Sequence, residues 1–214
     1  QIYRVPIELS GRDLESENYG DEEKARLMRD ADESLKRQTE KSFLWTNGLR
    51  SSDPYMTAGF RYWVTTNVTN LSGAALDEAT WNAYLKNIFR RNQGSTKNCV
   101  FFAGNNILDA LDGFGRDNIR YKPDDSLLGI AVGEYQNSHG RLRIVKHGML
   151  DDTLGSEGAY GRWGGYGFFI NLDRCGIANF KNRGLELRQN IQTPGTDGEK
   201  HELLADRGLY VQTE

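Results

Sequence analysis

His201-Glu202-Leu203-Leu204-Ala205 opens like a zinc-protease helix, with a histidine followed by a glutamate. That chemistry needs a second histidine one helical turn later, so that two imidazoles reach one metal while the glutamate activates water. Here the fifth position is Ala205, and the ligand set is incomplete. Cys99, His147 and an acid could be drawn as nucleophile, base and orienting group. Cys99, however, lies in the apolar run Cys99–Ala103, with no helix start beside it to stabilise a thiolate. Cys175 begins a similar run, ending at Phe180, and both cysteines read as buried, unreactive thiols of a reducing compartment rather than a disulfide.

Other chemistry-bearing residues fare no better. The glycine-rich stretch GSEGAYGRWGGYG (155–167) lacks the lysine and Ser/Thr spacing of a phosphate loop, and also its strand-then-helix setting. Asp109, Asp112 and Asp117 miss the spacing of a calcium loop. Asp124-Asp125 and Asp151-Asp152 follow turn-like sequence, and His139 falls in a turn of its own. Arg90-Arg91 ends a helical pattern, where the helix dipole alone accounts for two cations. Asn67 and Asn70 each head a glycosylation sequon, a pattern too cheap to carry weight without a secretion signal. The expectation is no catalytic, cofactor-binding or metal-binding residue, no cofactor, and a protein that is not an enzyme.

The elements that would position such residues point instead to an α+β chain. At 214 residues it can build one substantial core or two modest lobes. A net charge of −3 is too nearly neutral for a dedicated nucleic-acid binder. The mean hydropathy is −0.67, yet the chain carries 10 Tyr, 9 Phe and 4 Trp, which suit either a core or an interface. No stretch approaches the roughly 20 apolar residues that span a bilayer. Residues 1–20 show no basic-then-apolar signal pattern.

Residues 2–9 alternate as a strand, with Pro6 marking an edge or a non-bonding position. From Asp21 to Asn47 runs a long helical pattern with Glu22–Arg26, Asp32–Lys36 and Glu33–Arg37 at pairing distance. Its apolar stripe (Met28, Ala31, Leu35, then Phe43 to Trp45) is thin, so the helix is expected to lie across one surface of a sheet. Residues 56–71 are aromatic and β-branched and end in a polar turn. A second helix follows with Leu76, Trp81, Tyr84, Leu85, Ile88 and Phe89 on one face. Then come the strand at Cys99–Ala103, a short helix over NNILDALDGFG, and a hairpin turning at Asn137–Gly140. Phe168–Leu172, Cys175–Phe180 and Leu185–Arg188 read as a meander of short antiparallel strands, and residues 198–214 as a final strand or helix-strand.

The order of these elements, with the phrases VPIELSGR, LWTNG, AGFRYWVTTNV, AALDEATW, CVFFAGNNILDAL and HELLADRGLYVQTE, resembles the major capsid proteins of tailed phages with the Hong Kong 97-like fold. The resemblance covers nearly the whole chain. It implies an E-loop returning strand and link at 1–19, and a peripheral domain with its spine helix at 20–97. It further implies an axial domain at 98–195, and a C-terminal return to the peripheral domain at 196–214. It implies self-assembly into hexamers and pentamers of an icosahedral shell around double-stranded DNA, without sequence-specific binding and without a membrane. The shell would be put together in the bacterial host cytoplasm and become the virion capsid, with cement proteins, a portal and a scaffold or protease as partners. Family members usually have an arm and an outgoing strand before the point where Gln1 stands, so upstream residues pairing with Ile2–Leu9 are expected. No local motif singles out a lysine for isopeptide cross-linking. An encapsulin-type compartment shell and an uncharacterised α+β enzyme are the alternative readings.

Overall fold

The computed structural model describes residues 1–15, 23–49, 55–91, 98–114, 119–121, 132–137, 140–150 and 163–212. The glycine-rich stretch up to Arg162, His139, Asp117, Asp124-Asp125, Asp151-Asp152, Asp21 and Glu22 lie outside the described residues. The chain divides into two compact units, one made of residues 1–65 with 176–212, the other of 66–175.

In the first unit, β1 (Ile2–Ser10) pairs antiparallel along its whole length with β11 (Gly198–Val211), from Ile2↔Asp206 to Ser10↔Gly198. The expected strand is there, and this distant segment takes one of its two sides. Tyr3, Ile7 and Leu9 are buried, while Ile2, Arg4, Pro6 and Glu8 are exposed, the period-2 pattern of a half-buried strand. Gln1 and Arg207 exchange backbone bonds of 3.0 and 3.1 Å. Bonded and non-bonded pairs alternate along an antiparallel ladder, so the N–H and C=O groups of Ile2, Arg4, Pro6 and Glu8 turn away from β11. Pro6, which has no N–H, sits where β11 asks for none. Gly198 opens β11 at φ +138°, with its Cα so close to Leu9 that a Cβ would lie 2.2 Å from the Leu9 oxygen.

A short helix, α1 (Gly11–Glu15), follows β1, and Ser10 and Asp13 cap it reciprocally through side chain and backbone. The long helix α2 (Glu23–Trp45) lays Ala31, Leu35, Thr39, Phe43 and Leu44 inward. Leu35 packs with Tyr3 and Ala205 of the β1/β11 pair, so the thin stripe does lie across a sheet. Thr39 enters that stripe because its hydroxyl donates to the Leu35 carbonyl at 2.8 Å and leaves only its methyl to pack. At the start of α2, Arg26 pairs with Glu23, whereas the expected partner Glu22 lies outside the described residues. The Asp32–Lys36 and Glu33–Arg37 pairs form. The unit also holds the small antiparallel pair β2 (Asn47–Leu49) and β3 (Met56–Ala58), and one turn of helix, α3 (Phe60–Trp63).

In the second unit α4 (Glu78–Arg91) begins where Asp77 accepts the Thr80 N–H at 3.2 Å. The sheet beside it contains β4 (Cys99–Ala103), β5 (Ile119–Tyr121), β6 (Val132–Asn137), β7 (Gly140–Lys146) and β8 (Gly167–Asn171), in the order β5-β6-β7-β4-β8. The β6/β7 hairpin forms as expected, closing at Asn137↔Gly140. Strand β4 runs parallel to β7, which requires a crossover, and α5 (Asn105–Gly113) lies on it. Trp81, Leu85 and Phe89 of α4 pack with Phe101, Ala103, Leu111, Tyr135, Leu142 and Ile144. The Trp81 ring meets Phe101 edge-on at 5.3 Å and Tyr135 at 5.8 Å.

The expected meander does not exist. Strand β8 belongs to the second unit and pairs with β4, from Cys99↔Asn171 to Ala103↔Gly167. Strands β9 (Cys175–Asn179) and β10 (Glu186–Arg188) instead pair with β11. The 14-residue β11 offers a ladder long enough for β10, β9 and β1, and so outcompetes pairing between short neighbours. The final segment is thus a single long strand.

Candidate assembly surface

The residues that could have done chemistry are held apart. Ala103 of β4 stands opposite Lys146 of β7, which puts His147 at one end of β4 and Cys99 at the other. Four residues of strand separate them by roughly 13 Å, so no thiol–imidazole pair forms. Burial, and secondarily the nearby Asp173 carboxylate, pushes the Cys99 thiol pKa up, away from a reactive thiolate. Cys175 is half-buried rather than buried as expected, because the edge strand it begins is covered on one side only; burial raises its pKa too, and its Sγ donates to the Asn171 carbonyl at 3.3 Å. His147 packs edge-on against Phe102 at 5.2 Å, and its Nδ1 accepts the Met149 N–H.

His201 is buried inside β11, not exposed on a helix. Its Nδ1 accepts the Asn190 N–H at 3.3 Å, so the neutral ring carries its proton on Nε2, which faces Glu199. Asp109 and Asp112 lie along α5, and Arg90 and Arg91 in the last turn of α4. Asn70 accepts the Ser72 N–H at 2.8 Å, closing a small turn. No group of three or more His, Cys, Asp or Glu side chains that could hold a metal occurs among the described residues. A cleft of about 640 Å³ is lined by Asn47, Arg61, Tyr62, Trp63 and Thr65, without carboxylate, histidine or cysteine.

What the first unit does present is an apolar surface. Asp206 of β11 turns its backbone away from β1, accepting the Phe180 N–H at 2.9 Å and donating to the Arg183 carbonyl at 2.8 Å. This anchors β9, the tight turn 180–184 and β10 along the side of β11 opposite β1. Asn182 in that turn has φ +63°, and Arg207 holds the Gly184 carbonyl at 2.7 Å. On this ribbon Phe180 is 63% exposed, Leu185 58% and Ile177 52%, with Leu187 and Ile191 also exposed. Tyr210, likewise exposed, stacks over the bare backbone of Gly176, where a Cβ would strike its ring. Large apolar side chains exposed along one ribbon make it a candidate interaction surface. Sequence reasoning took these residues as architecture alone, because an apolar residue in a short strand has the same pattern whether its own core or another chain covers it.

No helix of the described residues is long and apolar enough to cross a membrane. No curated protein matches the chain. The model of one protein family, described as SU10 major capsid protein, matches residues 1–214. That family is structural and not enzymatic, which agrees with dispersed polar groups and an exposed apolar ribbon. The match spans the whole chain, and this protein belongs to the SU10 major capsid protein family.

Proposed function

We propose that this phage capsid protein builds its shell as hexamers and pentamers of a Hong Kong 97-like subunit, closing around double-stranded DNA. The observation that supports this reading most is the exposed apolar ribbon of β9 and β10, on a chain whose family forms capsids. In this reading α2 is the spine helix, and the unit of residues 1–65 with 176–212 is the peripheral domain. Residues 1–19 are the returning limb of the E-loop and its link, with Ile2–Ser10 paired to β11. The unit of residues 66–175, in which α4 packs on the sheet, is taken in this reading as the axial domain, in place of residues 98–195.

Closed shells need heterologous contacts repeated with curvature, so each chain must bury several surfaces. One ordinary interface buries about 1,600 Å² in total, and a shell subunit should exceed that severalfold. With a net charge of −3 the chain cannot neutralise packaged DNA, and retention of the genome rests on closure of the shell. Portal, cement and scaffold or protease partners and assembly in the host cytoplasm belong to the same proposal. The test is sizing and electron microscopy of the protein expressed with the assembly factors of its gene neighbourhood. Icosahedral shells are expected; a compact monomer or dimer under those conditions would overturn the proposal.

A further inference from the structure

The connection between β10 and β11, residues 189–197, is exposed over most of its length. Hydrogen bonds pin its first part to β11. The Asn190 N–H donates to His201 Nδ1 at 3.3 Å, the Ile191 N–H to the Lys200 carbonyl at 2.9 Å, and the Lys200 N–H to the Gln192 side-chain oxygen at 3.2 Å. The first of these differs in kind, because its acceptor is a titrating group. Asn190 also has φ +54°, a left-handed conformation that asparagine tolerates but that its surroundings must hold.

The ring of His201 is 1% exposed, and its Nε2 lies 3.0 Å from Glu199 Oε2. From α2 comes Lys24, 2.6 Å from the same carboxylate oxygen. From β1 comes Ile7, the cross-strand partner of His201, with Val5 and Leu9 to either side of it on that face. Lys200 pairs with Glu8, and the period of two puts both on the opposite face. Arg188, at the end of β10, pairs with Glu186 and stands across from Glu202, on that opposite face too. Within the connection, the Asp197 carboxylate lies against Gly11. The ring therefore sits between a backbone donor at Nδ1 and a shared carboxylate at Nε2.

We infer that His201 is an acid-operated latch: a proton taken from solvent at Nδ1 turns the acceptor of the Asn190 N–H into a donor, and the 189–197 connection lets go of β11 there. An imidazolium donates from both nitrogens, so two N–H groups would otherwise point at each other. Its Nε2–H keeps Glu199, whose charge favours the protonated ring, so the ring stays in place and the Asn190 backbone moves. Lys24 works the other way, by holding the same carboxylate. Ile191, 40% exposed, is carried on the part that loosens. The latch belongs to the single subunit and goes beyond the shell reading without resting on it.

Heteronuclear NMR of the unassembled chain from pH 8 to pH 5, a range in which histidine titrates and carboxylates ordinarily do not, tests it. As the His201 Nδ1 resonance reports protonation, the Asn190 amide should lose protection by about tenfold or more, after correction for intrinsic exchange, while the β1/β11 ladder amides keep theirs. Glu199→Gln should move this change to lower pH and Lys24→Met to higher pH, each by roughly half a unit or more. His201→Gln, which removes the titrating group, should abolish it. A ring that gains its Nδ1 proton while Asn190 stays protected would overturn the latch. So would a ring still neutral at pH 5, a loss of protection shared by the β1/β11 ladder, or Glu199 and Lys24 variants that respond at the same pH as the parent.

Discussion

His201 and Glu199, two positions apart on β11, meet side by side, with Nε2 3.0 Å from Oε2. The period of two along a strand puts both on one face. Glu199 also takes Lys24 of α2 at 2.6 Å, so one carboxylate joins the buried imidazole to the start of the long helix.

The hydrogen bond from Lys24, then that from His201, holds the Glu199 carboxyl below its ordinary value. A depressed folded-state pKa contributes stability that is present above the unfolded value of about 4.3 and lost as pH falls through the folded one. Denaturant melts across pH should therefore show wild type more stable than Glu199→Gln near neutrality. The gap should close on acidification below that unfolded value. A gap constant down to pH 3 would mean the carboxylate charge contributes nothing.

Trp81 is the centre of the second unit's core, touching two rings of the sheet. Trp81→Ala should destabilise that unit by about 3–5 kcal/mol, the range for deleting a buried aromatic ring. Trp81→Phe should cost clearly less. Chemical denaturation followed by near-UV circular dichroism checks both.

Gly104, at the N-cap of α5, lies against the backbone of Gly164, and a Cβ there would sit 2.3 Å from the Gly164 carbonyl oxygen. Gly104→Ala should cost on the order of 1–3 kcal/mol, because backbone must move to admit the methyl. Gly113, near the end of the same helix, has nothing within 4 Å of its Cβ position. Gly113→Ala should be neutral or stabilising by up to about 1 kcal/mol. Thermal melts of the two variants should move in opposite directions or differ widely.

The two thiols should differ in rate. Cys99 is buried in β4, whereas Cys175 starts an edge strand and is partly exposed. Native protein treated with a thiol reagent should label Cys175 first and Cys99 only on unfolding, as mass mapping of the labelled peptides would show. Equal rapid labelling of both would contradict the burial of β4.

Much of the fold was legible because periodicity reports which face of an element is covered. The stripe of α4 from Trp81 to Phe89, the alternation of β1 and the edge position of Pro6 were all readable that way. Pairing partners were not. Alternation in Cys175–Phe180 and Leu185–Arg188 shows two short strands, and nothing in it says that both lie along β11 and that Phe168–Leu172 lies elsewhere. The candidate surface stayed hidden for a related reason. Phe180 and Leu185 flank a polar turn as core residues often do, and exposure is a property of what lies opposite, which the residue's own sequence does not carry.

The pairing of β1 with β11 also sets an order of events during synthesis. Residues 66–175 are contiguous and can complete their sheet once they have emerged, whereas β1 waits for a partner almost two hundred residues downstream. At translation rates of roughly 5–20 residues per second that delay lasts on the order of ten seconds or more. Strands β9 and β10 are laid down along the same late strand, so their ribbon also waits until β11 has emerged, while the sheet of residues 66–175 has no such wait.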